Sequence, residues 1–188
     1  FVVILGIIGG SIYIIARPSI QRMMGARVAV QNRLVYVGVD GNIYTIRPDG
    51  QQRVAITRDA EAGKRFYDFP AWSPDGKHLA FVGAERLDED GVLATLYSAP
   101  AVGGRPTKVF TSTESGPFYL YWAPDGQQLA FLTAEAEADG IALRWASADG
   151  KAPSRILAKG SPLYWSWSPD SREILLHIGG SRQANPEA

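Results

Sequence analysis

The acidic residues of a threefold repeat are the first candidates for chemistry in this chain. Asp75, Asp125 and Asp170 each follow a proline in the segments WSPDGKHLAF, WAPDGQQLAF and WSPDSREILL. Carboxylates that recur in this way are candidates for acid–base catalysis or for binding a metal ion. Pro-Asp-Gly is also a turn sequence, because proline fixes φ, aspartate bonds to its own backbone and glycine accepts a positive φ. The turn is the interpretation that we favour for all three aspartates.

The other residue types that carry catalysis form no recognised set. The chain has two histidines, His78 and His177, and no cysteine. Without a histidine pair at ligand spacing or any thiolate, the sequence predicts neither a transition-metal site nor a disulfide. No serine lies in a G-x-S-x-G elbow, and the glycine pairs at 103–104 and 179–180 lack a phosphate-loop pattern. We therefore expect no catalytic residue, no cofactor and no metal ion.

Composition excludes one class of partner and favours one class of fold. The 188 residues include 19 basic and 19 acidic ones, so the formal net charge is zero. Nucleic-acid binding needs a basic surface, and this balance gives no reason to expect one. The 20 glycines, the 12 prolines and an aromatic content of 11% favour strands and turns over helices.

The aspartates must be positioned by repeated structural units. Trp72, Trp122 and Trp167 begin the three segments at spacings of 50 and 45 residues, a period typical of a four-stranded propeller blade. In each unit an apolar strand ends in tryptophan, the Pro-Asp turn follows, and further strands come next. Residues 33–57 read as the last three strands of an earlier unit, so the strand count is 3+4+4+2. We expect the tryptophans to fill the space between neighbouring blades. The structural repeat comprises Trp72, Pro74, Asp75, Gly76, Trp122, Pro124, Asp125, Gly126, Trp167, Pro169 and Asp170.

The segments GNIYTIRPDG and FPAWSPDGKHLAF resemble the WD40-like Pro-Asp (PD40) repeats of TolB-type β-propellers. The resemblance covers about residues 33–179. It implies an all-β propeller fold in a bacterial protein of the cell envelope, and the strand count predicts a partial propeller of about three to four four-stranded antiparallel blades. TolB-type propellers have more blades than this. We therefore expect either a further C-terminal part or an open array that a partner completes.

The N-terminal segment is predicted to cross a membrane. Residues 1–16, FVVILGIIGGSIYIIA, carry no charge, and a span of about 20 apolar residues crosses a bilayer. We expect one transmembrane helix that contacts the lipid bilayer through these residues; a cleavable signal peptide and a buried helix are the alternatives. The predicted regions are a transmembrane anchor at 1–20, a juxtamembrane linker at 21–32, propeller repeats at 33–180 and a disordered tail at 181–188.

Two sequence signals disagree about the side of the membrane on which the propeller lies. Arg17, Arg22, Arg27 and Arg33 follow the apolar segment, and positive residues there favour the cytoplasmic side. The resemblance to TolB-type propellers implies the extracytoplasmic side. We expect a single-pass protein whose propeller is extracytoplasmic.

The long connections between strands are predicted to form an acidic face. In an up-and-down blade, alternate connections emerge on opposite faces, and the face away from the Pro-Asp turns holds twelve of the 19 acids by our assignment. Three interpretations remain: a solvated rim, a surface that docks a basic partner, or a calcium site in DEDG, which lacks a full EF-hand loop. The candidate partner-binding residues are Asp88, Glu89, Asp90, Glu135, Glu137 and Asp139.

Three functions are consistent with these patterns. The first is a non-catalytic, membrane-anchored propeller that binds other subunits of a membrane complex as an accessory subunit; a bioenergetic complex is one such assembly. The second is the propeller of an anchored hydrolase, since a propeller precedes the hydrolase domain in the prolyl oligopeptidase family. The third is a propeller that senses a ligand or a cation. We expect the first, because no catalytic set is visible.

Overall fold

The chain forms β-strands throughout the part that the computed structural model describes, which is residues 3–8, 11–16, 32–87, 91–135 and 140–179. The first two strands, Val3–Ile8 (β1) and Ser11–Ala16 (β2), pair antiparallel with each other. Their valines and isoleucines are β-branched and suit extended backbone. No helix within the described residues has the length and apolarity needed to cross a membrane.

The predictions for the ends of the chain have different outcomes. A transmembrane helix over residues 1–20 is not confirmed, because the described part of that segment is the β1–β2 pair. Membrane anchoring itself stays a prediction. The juxtamembrane linker predicted for 21–32 lies outside the described residues except for its last residue, and the tail predicted for 181–188 lies outside them entirely.

Four further antiparallel sheets follow, and in each of them strands that are consecutive in sequence are neighbours. Sheet I contains Leu34–Val37 (β3), Ile43–Ile46 (β4) and Val54–Ala55 (β5). Sheet II contains Arg65–Trp72 (β6), His78–Arg86 (β7), Val92–Pro100 (β8) and Thr107–Ser112 (β9). Sheet III contains Pro117–Trp122 (β10), Gln128–Ala134 (β11), Ile141–Ser147 (β12) and Arg155–Lys159 (β13). Sheet IV contains Leu163–Trp167 (β14) and Ile174–Ile178 (β15). The all-β prediction is confirmed, and the strands divide as 3+4+4+2.

The core lies between successive sheets rather than inside any one of them. Five consecutive residues are buried in each of the central strands β7 and β11, because a neighbouring sheet covers each face. Three apolar clusters fill the spaces between sheets I and II, II and III, and III and IV. Trp72, Trp122 and Trp167 each end the first strand of their sheet and pack into the cluster shared with the preceding sheet. Each sheet thus depends on its neighbour to bury its apolar faces.

Candidate functional site

The repeated aspartates stabilise the turns between the first and second strands of sheets II, III and IV. In the β6–β7 turn, Asp75 Oδ1 accepts the N–H of Lys77 at 3.0 Å and the hydroxyl of Ser73 at 2.7 Å. Gly76 donates its N–H to the carbonyl of Ser73 at 2.9 Å and adopts a φ of 70°. Burial alone would raise the pKa of Asp75, but the hydrogen bonds from Lys77 and Ser73 outweigh it and lower the pKa. Pro74 precedes this carboxylate at the start of the turn.

The other two repeats build the same turn. Asp125 accepts the N–H of Gln127 at 2.8 Å, and Asp170 accepts the N–H of Arg172 at 3.2 Å. Serine 171 replaces the glycine of the third repeat and still adopts a φ of 63°. Its hydroxyl accepts the backbone N–H of Asp125 at 2.9 Å, which links the turns of sheets III and IV. The remaining turn residues of these repeats are Pro124, Gly126 and Pro169.

The histidines lie in different sheets. His78 begins β7, and His177 lies in β15 with its ring 6.2 Å from that of Tyr164. Within the described residues, no three histidine, cysteine, aspartate or glutamate side chains are grouped so that they could hold a metal ion.

Glu135 is the one candidate partner-binding residue that the structure describes. Its carboxylate accepts the hydroxyl of Thr133 at 2.9 Å and pairs with Arg144 at 3.2 Å and Lys159 at 3.4 Å, and its side chain is only 15% exposed. Burial would raise the pKa of Glu135, but the bonds from Thr133 and Arg144 lower it. Glu135 therefore presents little free charge to a partner. The other five candidates, Asp88, Glu89, Asp90, Glu137 and Asp139, lie outside the described residues.

Ion pairs neutralise much of the described acidic face. Arg65 bridges Asp59 at 2.5 Å and Glu85 at 2.6 Å, and Lys64 pairs with Glu61 at 3.4 Å. Lys64 and Arg65 therefore offset part of the negative charge that acids contribute to this face. In the described part of the chain, the face is less negative than a count of its acids suggests.

An open groove between sheets III and IV is the strongest candidate site. We call it the aromatic groove; it lies between the first strands of the two sheets, β10 and β14, and has a volume of about 670 Å³. The rings of Tyr119, Tyr121 and Trp165 meet edge to face in it, with centroids 5.4 to 6.0 Å apart. The groove is lined by Pro74, Tyr119, Tyr121, Trp122, Pro124, Leu163, Tyr164, Trp165, Ser166 and Trp167. Many of its aromatic faces are open to solvent: Tyr119 is 55% exposed and Tyr164 is 62% exposed.

A backbone irregularity directs one of these side chains outward. The pairing of β10 with β11 shifts between Phe118 and Leu120, and the intervening Tyr119 has a φ of 50°. The equivalent residue of sheet II, Phe69, also lies at a register shift and has a φ of 52°. A positive φ is unfavourable for a bulky side chain, and a β-bulge re-aims the residue that it carries. Because the irregularity also occurs at Phe69, outside the groove, it is shared by two repeats and does not by itself mark the groove as a site.

The groove exists because the two neighbouring sheet interfaces are packed differently. Between sheets II and III, the indole N–H of Trp122 donates to the carbonyl of Ala71 at 3.2 Å. Tyr121 occupies the position of Ala71 in the next repeat, and its large side chain stands against Trp165. The indole nitrogens of Trp165 and Trp167 are buried there without a hydrogen-bond partner. Within the described residues these two indole donors are covered but unpaired, unlike that of Trp122, although buried donors are normally satisfied.

The chemistry of the groove is uncharged and largely apolar. All ten lining residues are uncharged at neutral pH, and the neighbouring Tyr119 raises the pKa of Tyr121. Exposed aromatic faces with a few hydroxyls are typical of recognition surfaces. Sequence reasoning missed the groove, although the change from Ala71 to Tyr121 at one repeat position was a visible signal.

Comparisons with known proteins show the fold. No protein-family model matches the chain, and no curated protein matches it. Among solved structures, a puromycin hydrolase matches with a TM-score of 0.57 and 22% identity over 77% of this chain and 25% of its own. A protein assigned as TolB from Agrobacterium tumefaciens matches with a TM-score of 0.55 and 18% identity over 78% of this chain and 53% of its own. An oligogalacturonate lyase in complex with manganese matches with a TM-score of 0.56 and 17% identity over 76% of this chain and 39% of its own.

These matches cover only part of the larger chains. This chain spans between a quarter and about half of the length of the three structures. At such identities the likeness concerns the fold and not the activity. Sheets I to IV are blades of a β-propeller.

Proposed function

We propose that this chain is a non-catalytic, propeller-type protein-interaction module, anchored in a membrane by one N-terminal span, and an accessory subunit of a larger membrane protein complex. The aromatic groove is the observation that carries the proposal. Large exposed aromatic side chains on rigid strands lose little conformational entropy when a partner covers them. A contiguous exposed apolar surface of this kind is typical of an interaction site.

The chemistry of the groove indicates the kind of partner segment. None of the described residues that line it is charged, so a charged segment would lose its hydration without gaining an ion pair from them. Most of the lining residues come from two strands, β10 and β14, and an extended chain can lie along strands. We expect an uncharged, extended peptide segment of a partner subunit, with apolar or proline side chains that pack on Tyr119, Tyr121 and Trp165.

Site-specific crosslinking tests this proposal. A photoreactive phenylalanine analogue at Tyr164, which lies in the groove, should crosslink the native full-length protein to a defined membrane partner. The same analogue at Phe66 is the control, because Phe66 is similarly exposed, at 58% against 62%, on a first strand outside the groove. The paired substitution of Tyr121 and Trp165 by alanine should lower copurification of that partner by about tenfold or more. A protein that is monodisperse and alone in mild detergent, or crosslinks of equal yield at both positions, would contradict the proposal.

The anchor and its orientation are tested separately. The chain has no cysteine, so Val102→Cys adds a single thiol at a position that is 81% exposed in the β8–β9 turn. An extracytoplasmic propeller should react with a membrane-impermeant maleimide in intact cells. Labelling only after lysis would place the propeller on the cytoplasmic side, and recovery of the protein in the wash of membranes at high pH would contradict the anchor.

Two alternatives lead to different results. The fold neighbours include a hydrolase and a lyase, so the chain is also compatible with the propeller part of an anchored hydrolase. A fluorophosphonate probe that labels the native full-length protein would favour that function, since it reports an activated serine. A rise in melting temperature at millimolar calcium would favour a cation-sensing propeller.

A further inference from the structure

A second cleft, between sheets I and II, combines positive charge with aromatic faces. It has a volume of about 480 Å³. Three cationic side chains line it: Arg58 from the β5–β6 connection, Arg105 from the β8–β9 connection and Lys108 from β9. They come from three separate segments, so the fold and not local sequence brings them together.

In the part of the chain that the structure describes, the three cations are not paired with acids. Within the described residues, Arg58, Arg105 and Lys108 make neither an ion pair nor a side-chain hydrogen bond, although several other arginines and lysines pair with carboxylates. Among the described residues, Asp59 is the only acid that lines the cleft, and its carboxylate is already bound by two other side chains. Its Oδ1 accepts the hydroxyl of Tyr67 at 2.7 Å, and its Oδ2 pairs with Arg65 at 2.5 Å. The cleft therefore carries an excess of about two positive charges.

The wall of the cleft is a stack of aromatic rings. Phe81 and Tyr97 stack with centroids 5.4 Å apart and planes at 25°, and Tyr67 meets Phe81 edge to face at 5.7 Å. Gly83 makes this arrangement possible, because a Cβ there would lie 2.8 Å from Tyr67 and 2.9 Å from Tyr97. Tyr97 is half-buried, so part of its ring faces the cleft.

We propose that this cleft binds a small organic dianion with a flat ring, such as an aryl phosphate or an aryl dicarboxylate. The ring packs on Tyr97, and the two negative charges are held by the guanidinium groups of Arg58 and Arg105 and by the ammonium group of Lys108. Arginine matches the paired oxygens of carboxylates and phosphates, and lysine supplies a mobile point charge. The volume of the cleft is in the range of small-molecule sites. This site shares no lining residue with the aromatic groove and does not depend on the proposed function.

Calorimetric titration of the full-length protein in mild detergent tests the site. The probes are phenyl phosphate and phthalate, with phenol as the neutral ring and inorganic phosphate as the anion without a ring. Binding of either or both aromatic dianions, at least about tenfold tighter than phenol and inorganic phosphate, supports the proposal, and the preference between them identifies the anionic group. Failure of both dianions to bind at about 10 mM, or equal binding of phenol, would overturn it.

Matched variants locate the binding. Arg58→Gln and Lys108→Gln remove one charge each from exposed positions and should each weaken binding by about tenfold, with a smaller dependence on salt. Lys151→Gln is the control, because this exposed lysine pairs with Asp149 outside the cleft and should leave the affinity unchanged. Unchanged melting temperatures would show that all three variants fold. An equal loss of affinity in the Lys151 variant, or no loss in the two cleft variants, would overturn the assignment.

Discussion

The interface between sheets II and III and the interface between sheets III and IV are built from the same repeat but close to different degrees. At the first, ten buried residues form one apolar cluster, and the indole N–H of Trp122 has a backbone partner in Ala71. At the second, only four residues of the cluster are buried, and the indole nitrogens of Trp165 and Trp167 have no hydrogen-bond partner among the described residues. The aromatic groove lies at the second interface.

Two features of the described residues accompany this difference: sheet IV contributes two strands where sheet III contributes four, and one position of the repeat changes from Ala71 to Tyr121. Alanine at position 71 lets the tryptophan of the next sheet approach the backbone of β6. At the equivalent position of the next repeat, the large side chain of Tyr121 takes the place of the alanine. The rings of Tyr121 and Tyr119 are about half exposed to solvent. The same repeat thus forms one closed interface and one open interface, and the open one is where we propose that a partner binds.

Truncation of the two interface tryptophans should give the largest contrast. Trp122→Ala removes a side chain that is 8% exposed together with its hydrogen bond, and should lower the free energy of unfolding by about 3–5 kcal/mol. Trp167→Ala should cost about 1–3 kcal/mol, because Trp167 is only partly buried and its indole N–H has no bond to lose. Urea denaturation measures both. Equal losses would mean that the two interfaces are equally closed.

Transfer of the tyrosine to the closed interface is the next test. Ala71→Tyr places a large side chain where the indole of Trp122 reaches the backbone, and overpacking of this kind should cost about 1–3 kcal/mol. Trp122 should then become more accessible to a quencher such as acrylamide. The exposed substitution Phe66→Tyr on the same strand is the control. An Ala71→Tyr variant as stable as the wild type would show that residue 71 does not decide closure.

The strands and turns could be predicted from the sequence, and the sites could not. Each Trp-x-Pro-Asp segment contains its own turn chemistry, so Asp75 and Asp170 could be placed from local residues alone. The aromatic groove depends on which side chains of different repeats meet, and on a register shift at Tyr119 that no sequence signal marks.

Charge pairing was out of reach for the same reason. The net-negative face stays a prediction, because several of its acids lie outside the described residues, but a count of loop acids could not show that Arg65 lies between Asp59 and Glu85. The cationic cleft was missed because Arg58 and Lys108 are distant in sequence and meet only across two sheets. Local sequence patterns predict the strands and turns, whereas the charge of a surface depends on which residues distant in sequence lie side by side.

A pair of substitutions at residue 171 tests what holds the open interface together. The hydroxyl of Ser171 accepts the N–H of Asp125, and the residue adopts a φ of 63°. Ser171→Ala loses the bond and keeps the unfavourable φ, so it should cost about 1 kcal/mol. Ser171→Gly loses the same bond, but glycine adopts a positive φ without steric cost. This gain of about 1 kcal/mol should offset the lost hydrogen bond and leave the free energy of unfolding nearly unchanged. Thermal unfolding that ranks glycine below alanine would contradict this account of the third repeat.

Acid should have the smallest effect and should not distinguish the two interfaces. Hydrogen bonds from Ser147 and from Lys151 lower the pKa of Asp149 from 3.8 to about 2, and the turn carboxylates of Asp75 and Asp170 also have lowered pKa values. A carboxyl whose pKa is lower in the folded state stabilises the fold above its unfolded pKa, and this contribution is lost as the pH falls through the folded value. Stability should therefore decrease between about pH 4 and pH 2. The decrease should be small, because these groups are largely exposed and screened by solvent.

The Asn variants separate the turn contribution from general acid unfolding. Asp149→Asn cannot titrate, so its unfolding midpoint in urea should depend less on pH across this window than that of the wild type. Asp75→Asn, at the sheet II turn, and Asp170→Asn, at the sheet IV turn, should reduce the pH dependence to a similar extent, because the two turns use the same bonds. A clearly larger change at Asp170 would mean that the open interface relies on its turn more than the closed one does, and that closure by Trp122 protects the turns beside it.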